Sequence, residues 1–323
     1  MSATPAPSRR RSVPSAVAVV AGLLTLLGGP AALGTLALFD TFEDKALAPL
    51  AGQDGWSAGS GEIEVVSDPA GGLNQVLRVP SDSSVLRKSL AFEDLSVPDG
   101  TQRMMFLRLR VGNKQTFSLG LSPLTSPYEY SDFGPEIGMA NSTPNLSLRI
   151  WEGAADHYVE LTPLQPDTWY NLWVWVDTAA NTYSLWLSTA VGGAATAEDR
   201  LVAAGDLDEF GFRTGTSSPM RTFYIKTSGG GSSENFGPLY LDDIYIETGD
   251  ALNLANPTVR PGDVNCDGHV DTADIDAFVL AVVDPAGYAV QWPGCPAANA
   301  DCNGDGQVDT GDIDAFVGLV VGG

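Results

Sequence analysis

Histidine is nearly missing from this sequence, with two in 323 residues. Histidine-centred acid–base catalysis, Ser-His-Asp chemistry and His-rich metal sites therefore have almost nothing to build on. Cysteine is scarce too: three residues are too few for a disulfide scaffold. Positive charge is short, since 17 Lys and Arg stand against 40 Asp and Glu for a formal net charge of −23. A chain so acidic lacks the basic surface that neutralises phosphates, which excludes nucleic acid and an anionic membrane surface as partners. What is present is a hydrophobic content of 44%, enough for a packed core and too much for an acidic disordered chain. The length suits one large domain and a small one, at roughly 150 residues per domain.

Residues 1–37 read as an export signal. Arg9, Arg10 and Arg11 supply the positive start, and Ala16 to Leu27 (AVAVVAGLLTLL) supply the apolar run. Gly28, Gly29 and Pro30 then break the helix, ahead of small residues with a cleavage point between Gly34 and Ala37. A membrane anchor would need about 20 uninterrupted apolar residues, and the Gly-Gly-Pro break leaves fewer. The mature chain is expected to be secreted, with no membrane attachment after cleavage.

Residues 38–248 carry six of the seven Trp and no cysteine, in short apolar runs divided by Gly, Pro, Asn and Asp turns. Met104 to Val111 (MMFLRLRV) places Arg108 and Arg110 on one face and Leu107, Leu109 and Val111 on the other. Trp169 to Asp177 (WYNLWVWVD) and Thr182 to Ser188 (TYSLWLS) are two β-rich runs joined by a short polar turn, a hairpin pattern. Leu239 to Glu247 (LYLDDIYIE) reads as a closing strand. Many short strands and no sustained helical period predict a mainly β fold, a jelly-roll β-sandwich of ten or more strands. Phe39 to Asp44 (FDTFED), Gly52 to Trp56 (GQDGW), the Trp169 hairpin and Leu241 to Tyr245 (LDDIY) resemble the concanavalin A-like and laminin G-like sandwiches of secreted bacterial proteins.

After a polar, Pro-containing linker at 249–262, residues 263–323 hold 11 acidic residues and no Lys or Arg. Asp263 to Asp274 (DVNCDGHVDTAD) and Asp301 to Asp312 (DCNGDGQVDTGD) repeat at a spacing of 38, each followed by Ile-Asp-Ala-Phe-Val. That duplication indicates two copies of one unit. Calcium takes six to eight hard oxygen ligands, and a twelve-residue loop delivers them from positions 1, 3, 5, 7, 9 and 12. In the first copy those positions are Asp263, Asn265, Asp267, the His269 carbonyl, Asp271 and Asp274. In the second they are Asp301, Asn303, Asp305, the Gln307 carbonyl, Asp309 and Asp312. Gly268 and Gly306 stand at position 6, where the loop turns sharply. Two bound Ca²⁺ ions are expected.

Prolines at 257, 261, 293 and 296 rule out a helix entering either loop, leaving only exiting helices at Thr272 to about Val283 and Thr310 to about Val321. A loop and exiting helix, duplicated after a linker, resembles a type I dockerin. The resemblance implies a small all-α, calcium-binding, dockerin-like module that docks to a cohesin-type partner. It further implies a place in extracellular polysaccharide binding or breakdown. The positions that carry recognition in that family hold Thr272, Ala273, Thr310 and Gly311, then Val279, Leu280, Val317 and Gly318, with no basic residue. Two readings stay open, a divergent cohesin partner or a self-contained calcium-stabilised cap. Cys266, Cys295 and Cys302 all fall in or beside this module, and one disulfide from three possible pairings is expected, with Cys295 the favoured partner of a loop cysteine.

The function read from these parts is a sandwich that binds polysaccharide or another glycoconjugate, joined to a calcium-dependent docking module. The long turn-rich segment Ser122 to Asn145 offers Tyr128, Tyr130 and Phe133 as rings to stack on sugars, with Trp56 and Trp151 as further candidates. Trp169, Trp173 and Trp186 read as core. Glu43 or Asp44 in the first strand and Asp242 or Asp243 in the last are candidates to share a third calcium ion. No catalytic residue is assigned: the Glu-x-Asp-x-x-Glu string of retaining glucanases is absent, and Glu62 with Glu64 is an ordinary exposed pair. The alternative is a polysaccharide-active enzyme, a glycoside hydrolase or a lyase using Tyr with Arg or Lys, on the same sandwich.

Overall fold

The computed structural model describes residues 35–71, 74–140, 146–215, 218–228, 237–293 and 295–322. The signal assignment falls on residues outside that set up to Gly34, but Leu36 and Ala37 already pair with Glu247 and Ile246.

Two antiparallel sheets face each other. The chain contributes β1 (Leu36–Asp40), β2 (Trp56–Ser60), β3 (Glu64–Ser67), β4 (Gln75–Val79), β5 (Val85–Ser89) and β6 (Gln102–Val111). It continues with β7 (Phe117–Ser122), β8 (Glu136–Met139), β9 (Ser147–Glu152), β10 (His157–Pro163) and β11 (Trp169–Asp177). The last are β12 (Thr182–Ser188), β13 (Phe210–Gly211), β14 (Thr222–Thr227) and β15 (Leu239–Glu247). The first sheet runs β13-β12-β11-β6-β15-β4-β3 with β1 added on β15, and the second runs β10-β9-β8-β7-β14-β5-β2. The expected hairpin and closing strand form with the bounds read from sequence.

Alternation decides what each face does. In β6, Met105, Leu107, Leu109 and Val111 enter the core between the sheets with Leu119, Ile137, Ile150 and Ile225. Met104 and Phe106 point the other way and join Trp173, Trp186 and Tyr245 in a second apolar layer. The 249–262 segment covers that layer: Leu254 packs on it, Ala195 N donates to Leu254 O (2.9 Å), and Trp173 Nε1 donates to Ala255 O (2.9 Å). Trp173 and Trp186 are buried as expected, while Trp169 is half-buried beneath Arg108. Glu62 lies before β3 and Glu64 pairs with Arg78 (2.8 Å), so the two do not form a pair on one strand face.

At the C-terminus, α1 (Ile275–Val283) and α3 (Ile313–Gly322) leave the two loops as read from sequence. A further helix, α2 (Pro285–Gln291), was not expected; Asp284 caps it and Pro285 opens it, an Asp-Pro start of the kind helices favour. The small core holds Val264, Ala277, Phe278, Ala281, Tyr288, Ala300 and Phe316. Phe278 and Phe316, equivalent in the repeat, stack with centroids 4.0 Å apart. The disulfide is Cys266–Cys295, and Cys302 is free with its thiol pushed up to about 11 by burial. Arg260, just before the first loop, donates to Tyr245 OH (2.5 Å) and lies 3.8 Å from Asp243, so module and sandwich share contacts. No helix among the described residues is long and apolar enough to cross a membrane.

Candidate functional site

The outer face of the second sheet carries a polar and aromatic constellation. In β8, Ile137 and Met139 enter the core, which turns Glu136 outward, yet Glu136 is fully buried by its neighbours. Its Oε1 accepts hydrogen bonds from Ser118 Oγ (2.6 Å) and Tyr158 OH (2.8 Å), and its Oε2 accepts from Arg213 Nη1 (2.6 Å). Arg213 Nη1 also lies 2.8 Å from Tyr158 OH. The frame is held from both sides. Tyr183 reaches across the core and donates to the carbonyls of Glu136 (2.9 Å) and Trp151 (2.7 Å). Arg213 and Thr214 donate their backbone N–H groups to Gly134 O and Phe133 O. Burial and then the Glu136 charge push the Tyr158 phenol up to about 12. Burial opposes the Arg213 charge, but Glu136 outweighs it and the pKa is raised.

Of the sequence-nominated rings, three stand at this face. Trp151 is half-buried, edge-on to Tyr158 with centroids 4.9 Å apart. Tyr130 is half-buried and Tyr128 is 44% exposed. Two nominations are corrected. Trp56 is 2% exposed: its ring packs against Phe39, Phe42 and Phe223, and Nε1 donates to the buried Asp40 carboxylate (2.6 Å). Phe133 is fully buried and stacks on Tyr224 at 4.1 Å. His157 begins β10 exposed, with Nδ1 3.0 Å from Ala155 O, outside the constellation. Sequence reading did not assign Arg149, Arg213 or Lys226; Arg149-Ile150-Trp151 alternation was the available signal for the first.

The two C-terminal loops share one internal pattern. Asn265 Oδ1 accepts from Asp267 N, Asp267 Oδ1 from His269 N and Asp271 Oδ1 from Ala273 N. Asn303, Asp305 and Asp309 do the same for Asp305, Gln307 and Gly311. Asp274 and Asp312 are fully buried and accept from Asp271 N and Asp309 N, both at 3.0 Å. Gly268 and Gly306 take φ of 83° and 84°, left-handed values that explain glycine at position 6. Asp301 receives the N–H groups of Gly304, Asp305 and Gly306. Asp263 is only 3% exposed, and its Oδ1 has no hydrogen-bond partner. Burial pushes its carboxyl up to about 6, against Arg260 and with Asp274 and Asp267. Among the described residues, no group of three or more His, Cys, Asp or Glu side chains is placed so that it could hold a metal ion. The donor set is nonetheless all oxygen, and the orphaned Asp263 oxygen fits a hard cation.

Glu43 and Asp243 do come together, lining a cavity of about 50 Å³ with Asp68, Arg108, Arg260 and Asp263. Asp44 instead is exposed and pairs with Lys45. Arg108 (3.2 Å) and Arg260 (3.8 Å) pair with Asp243, so cationic side chains already offset its charge. Burial pushes Glu43 up to about 8. Its folded pKa exceeds the ordinary 4.5, so the folded state holds the extra proton and stability falls as pH rises from about 4.5 to 8. Glu43→Gln is expected to remove that loss. Against wild type, the variant should match at pH ~5 and gain on the order of 2 kcal/mol at pH ~8.5, read by denaturant unfolding.

No family model matches this sequence, and no curated protein matches it. Among solved structures, the catalytic domain of a glycoside hydrolase family 131 protein from Coprinopsis cinerea is 18% identical. It aligns over 69% of this chain and 98% of that one, with a TM-score of 0.43. A GH131 β-glucanase catalytic domain from Podospora anserina is 16% identical over 69% of this chain and 99% of that one, TM-score 0.41. A sialidase is 9% identical over 67% of this chain, TM-score 0.42, and the chain spans 18% of that protein's length.

Proposed function

We propose that this is a secreted carbohydrate-binding protein. The outer face of its concanavalin A-like sandwich holds a polysaccharide, and its dockerin-like C-terminal module is loaded with two calcium ions. One observation carries the glycan half: Ser118, Glu136, Tyr158 and Arg213 form a hydrogen-bonded group on rigid strands and a pinned turn, with the Trp151 ring beside it. Sugar recognition needs polar partners and rings held in fixed positions: the buried Ser118 and Glu136 fix Tyr158 and Arg213, which with Trp151 are partly open to solvent.

The orphaned Asp263 oxygen and the matching backbone cradles of the two loops support the calcium half. Asp263, Asn265, Asp267, the His269 carbonyl, Asp271 and Asp274 would hold one ion, and Asp301, Asn303, Asp305, the Gln307 carbonyl, Asp309 and Asp312 the other. Bound calcium would supply charge to offset the clustered carboxylates and so order the loops. A cohesin-type partner belongs to the same reading. What supports it is a pair of exposed apolar stripes, Ile275, Val279 and Val283 on α1 and Ile313, Val317 and Val321 on α3, one per copy of the repeat.

Affinity electrophoresis of the intact protein through a panel of soluble polysaccharides tests the glycan half. At least one polymer should retard the protein, and Trp151→Ala should weaken that retardation tenfold or more. No retardation by any polymer would sink the reading. The second reading is a polysaccharide-active enzyme, favoured by the Tyr158 hydroxyl held between Glu136 and Arg213. Full burial of Glu136 argues against a hydrolase that must bring two carboxylates to the substrate. New reducing ends or unsaturated sugar ends in the same incubations would decide for the enzyme.

A further inference from the structure

We infer that the ligand of the second sheet's outer face is an acidic glycan, one bearing carboxylate or sulfate groups; this rests on the glycan reading above and deepens it. The inference starts from what covers the rings. The Arg149 guanidinium lies 3.7 Å from the Tyr158 ring centroid and that of Arg213 lies 3.9 Å from Trp151. The Lys226 ammonium lies 4.6 Å from Tyr128 and 5.2 Å from Tyr130. Three sequence-nominated rings, Trp151, Tyr128 and Tyr130, and Tyr158 beside them thus each carry a cation. A cation resting on a ring is fixed in place by the ring's quadrupole, with its outer side left for an anion.

The charge balance points the same way. In a chain of net charge −23, this face gathers Arg149, Arg213 and Lys226. The buried Glu136 is spent on Arg213, the exposed Glu129 lies 3.5 Å from Lys226, and the exposed Glu160 stands across from Arg149 on β10. The Arg149 Nε is buried without a hydrogen-bond partner among the described residues. Burial lowers its pKa, outweighing Tyr158, Glu136, Tyr130 and Glu160, which raise it. A planar guanidinium stacked on one face, with no ion pair among the described residues, is suited to a carboxylate or sulfate in its plane. The half-buried Trp151 and Tyr158 rings beside the guanidinium favour a sugar acid over a bare inorganic anion.

The test uses the intact, calcium-loaded protein and four soluble probes: an oligouronate, a sulfated oligosaccharide, a neutral β-glucan oligosaccharide and polyglutamate. Calorimetry should give at least tenfold tighter binding to the uronate or the sulfated sugar than to the glucan, and the preferred one identifies the anionic group. Arg149→Met should lose that preference tenfold or more while the melting midpoint stays near wild type. Arg149→Lys, which keeps charge but not the fork, should recover only part of the affinity. Binding the neutral glucan as tightly as either acidic sugar would overturn the inference and leave the glycan reading standing. So would polyglutamate bound as tightly as the sugars, or Arg149→Met with unchanged affinity. Binding to none of the probes would overturn both.

Discussion

Chelating calcium from the intact protein is expected to split its melting transition in two, with a new low-temperature step from the C-terminal module. The module's buried apolar residues are few, Val264, Ala277, Phe278, Ala281, Tyr288, Ala300 and Phe316 among them. A core of that size sustains a fold only with added staples. Against it stand the buried carboxylates Asp263, Asp274 and Asp312, whose charges repel their loop neighbours. A bound ion reverses that balance. At a free concentration a thousandfold above its dissociation constant, each ion would stabilise the folded module by about 4 kcal/mol. The Cys266–Cys295 bridge limits how far the first loop can open. Asp263→Ala and Asp301→Ala should each remove one ion from the calorimetric count and half of the shift. Identical melting with calcium and with chelator would contradict the calcium half.

The second large effect is expected from Glu136→Ala, a loss of about 3–5 kcal/mol in denaturant unfolding, the usual cost of breaking a buried ion pair from one side. Glu136 is fully buried, and three donors converge on it. Removing the carboxylate strands the Arg213 guanidinium, whose side chain is 18% exposed, together with two hydroxyls. Glu136→Gln keeps the shape and some acceptor capacity and should cost less. Adding Arg213→Met to Glu136→Ala should recover part of the loss, because no unpaired charge then remains. An additive double mutant would show that the two side chains do not act as a pair.

How much of this was legible depends on how local each feature is. The Trp169–Asp177 and Thr182–Ser188 strands and the Leu239–Glu247 strand declared themselves because alternation and β-branched or aromatic residues act within one run. The loop pattern was readable for the same reason, since its candidate ligands lie within twelve residues. The outer-face constellation was not. Glu136 meets Tyr158 across 22 positions and Arg213 across 77, and Arg213 comes from a turn with no period of its own. Trp56 failed in the other direction. It follows a Gly-rich turn that reads as surface, but its ring closes the core beside Lys88. That lysine is fully buried and pairs with Asp40 (3.3 Å) and Asp54 (3.0 Å). A buried cation among aromatic rings is invisible to a pattern that sorts residues only into apolar and polar. The linker's polar composition likewise hid its role in covering Trp173, because backbone groups and Leu254 do the covering.

The surface assigned to the ligand is tested most directly by hydrogen–deuterium exchange of the intact protein in calcium-containing buffer, with and without a retained oligosaccharide. The expected result is protection in β8, β9, β10 and β14 and in the turn that carries Arg213, with β6, β11 and β15 unchanged. Protection confined to the first sheet or to α1 and α3, with none around Glu136, would contradict the assignment.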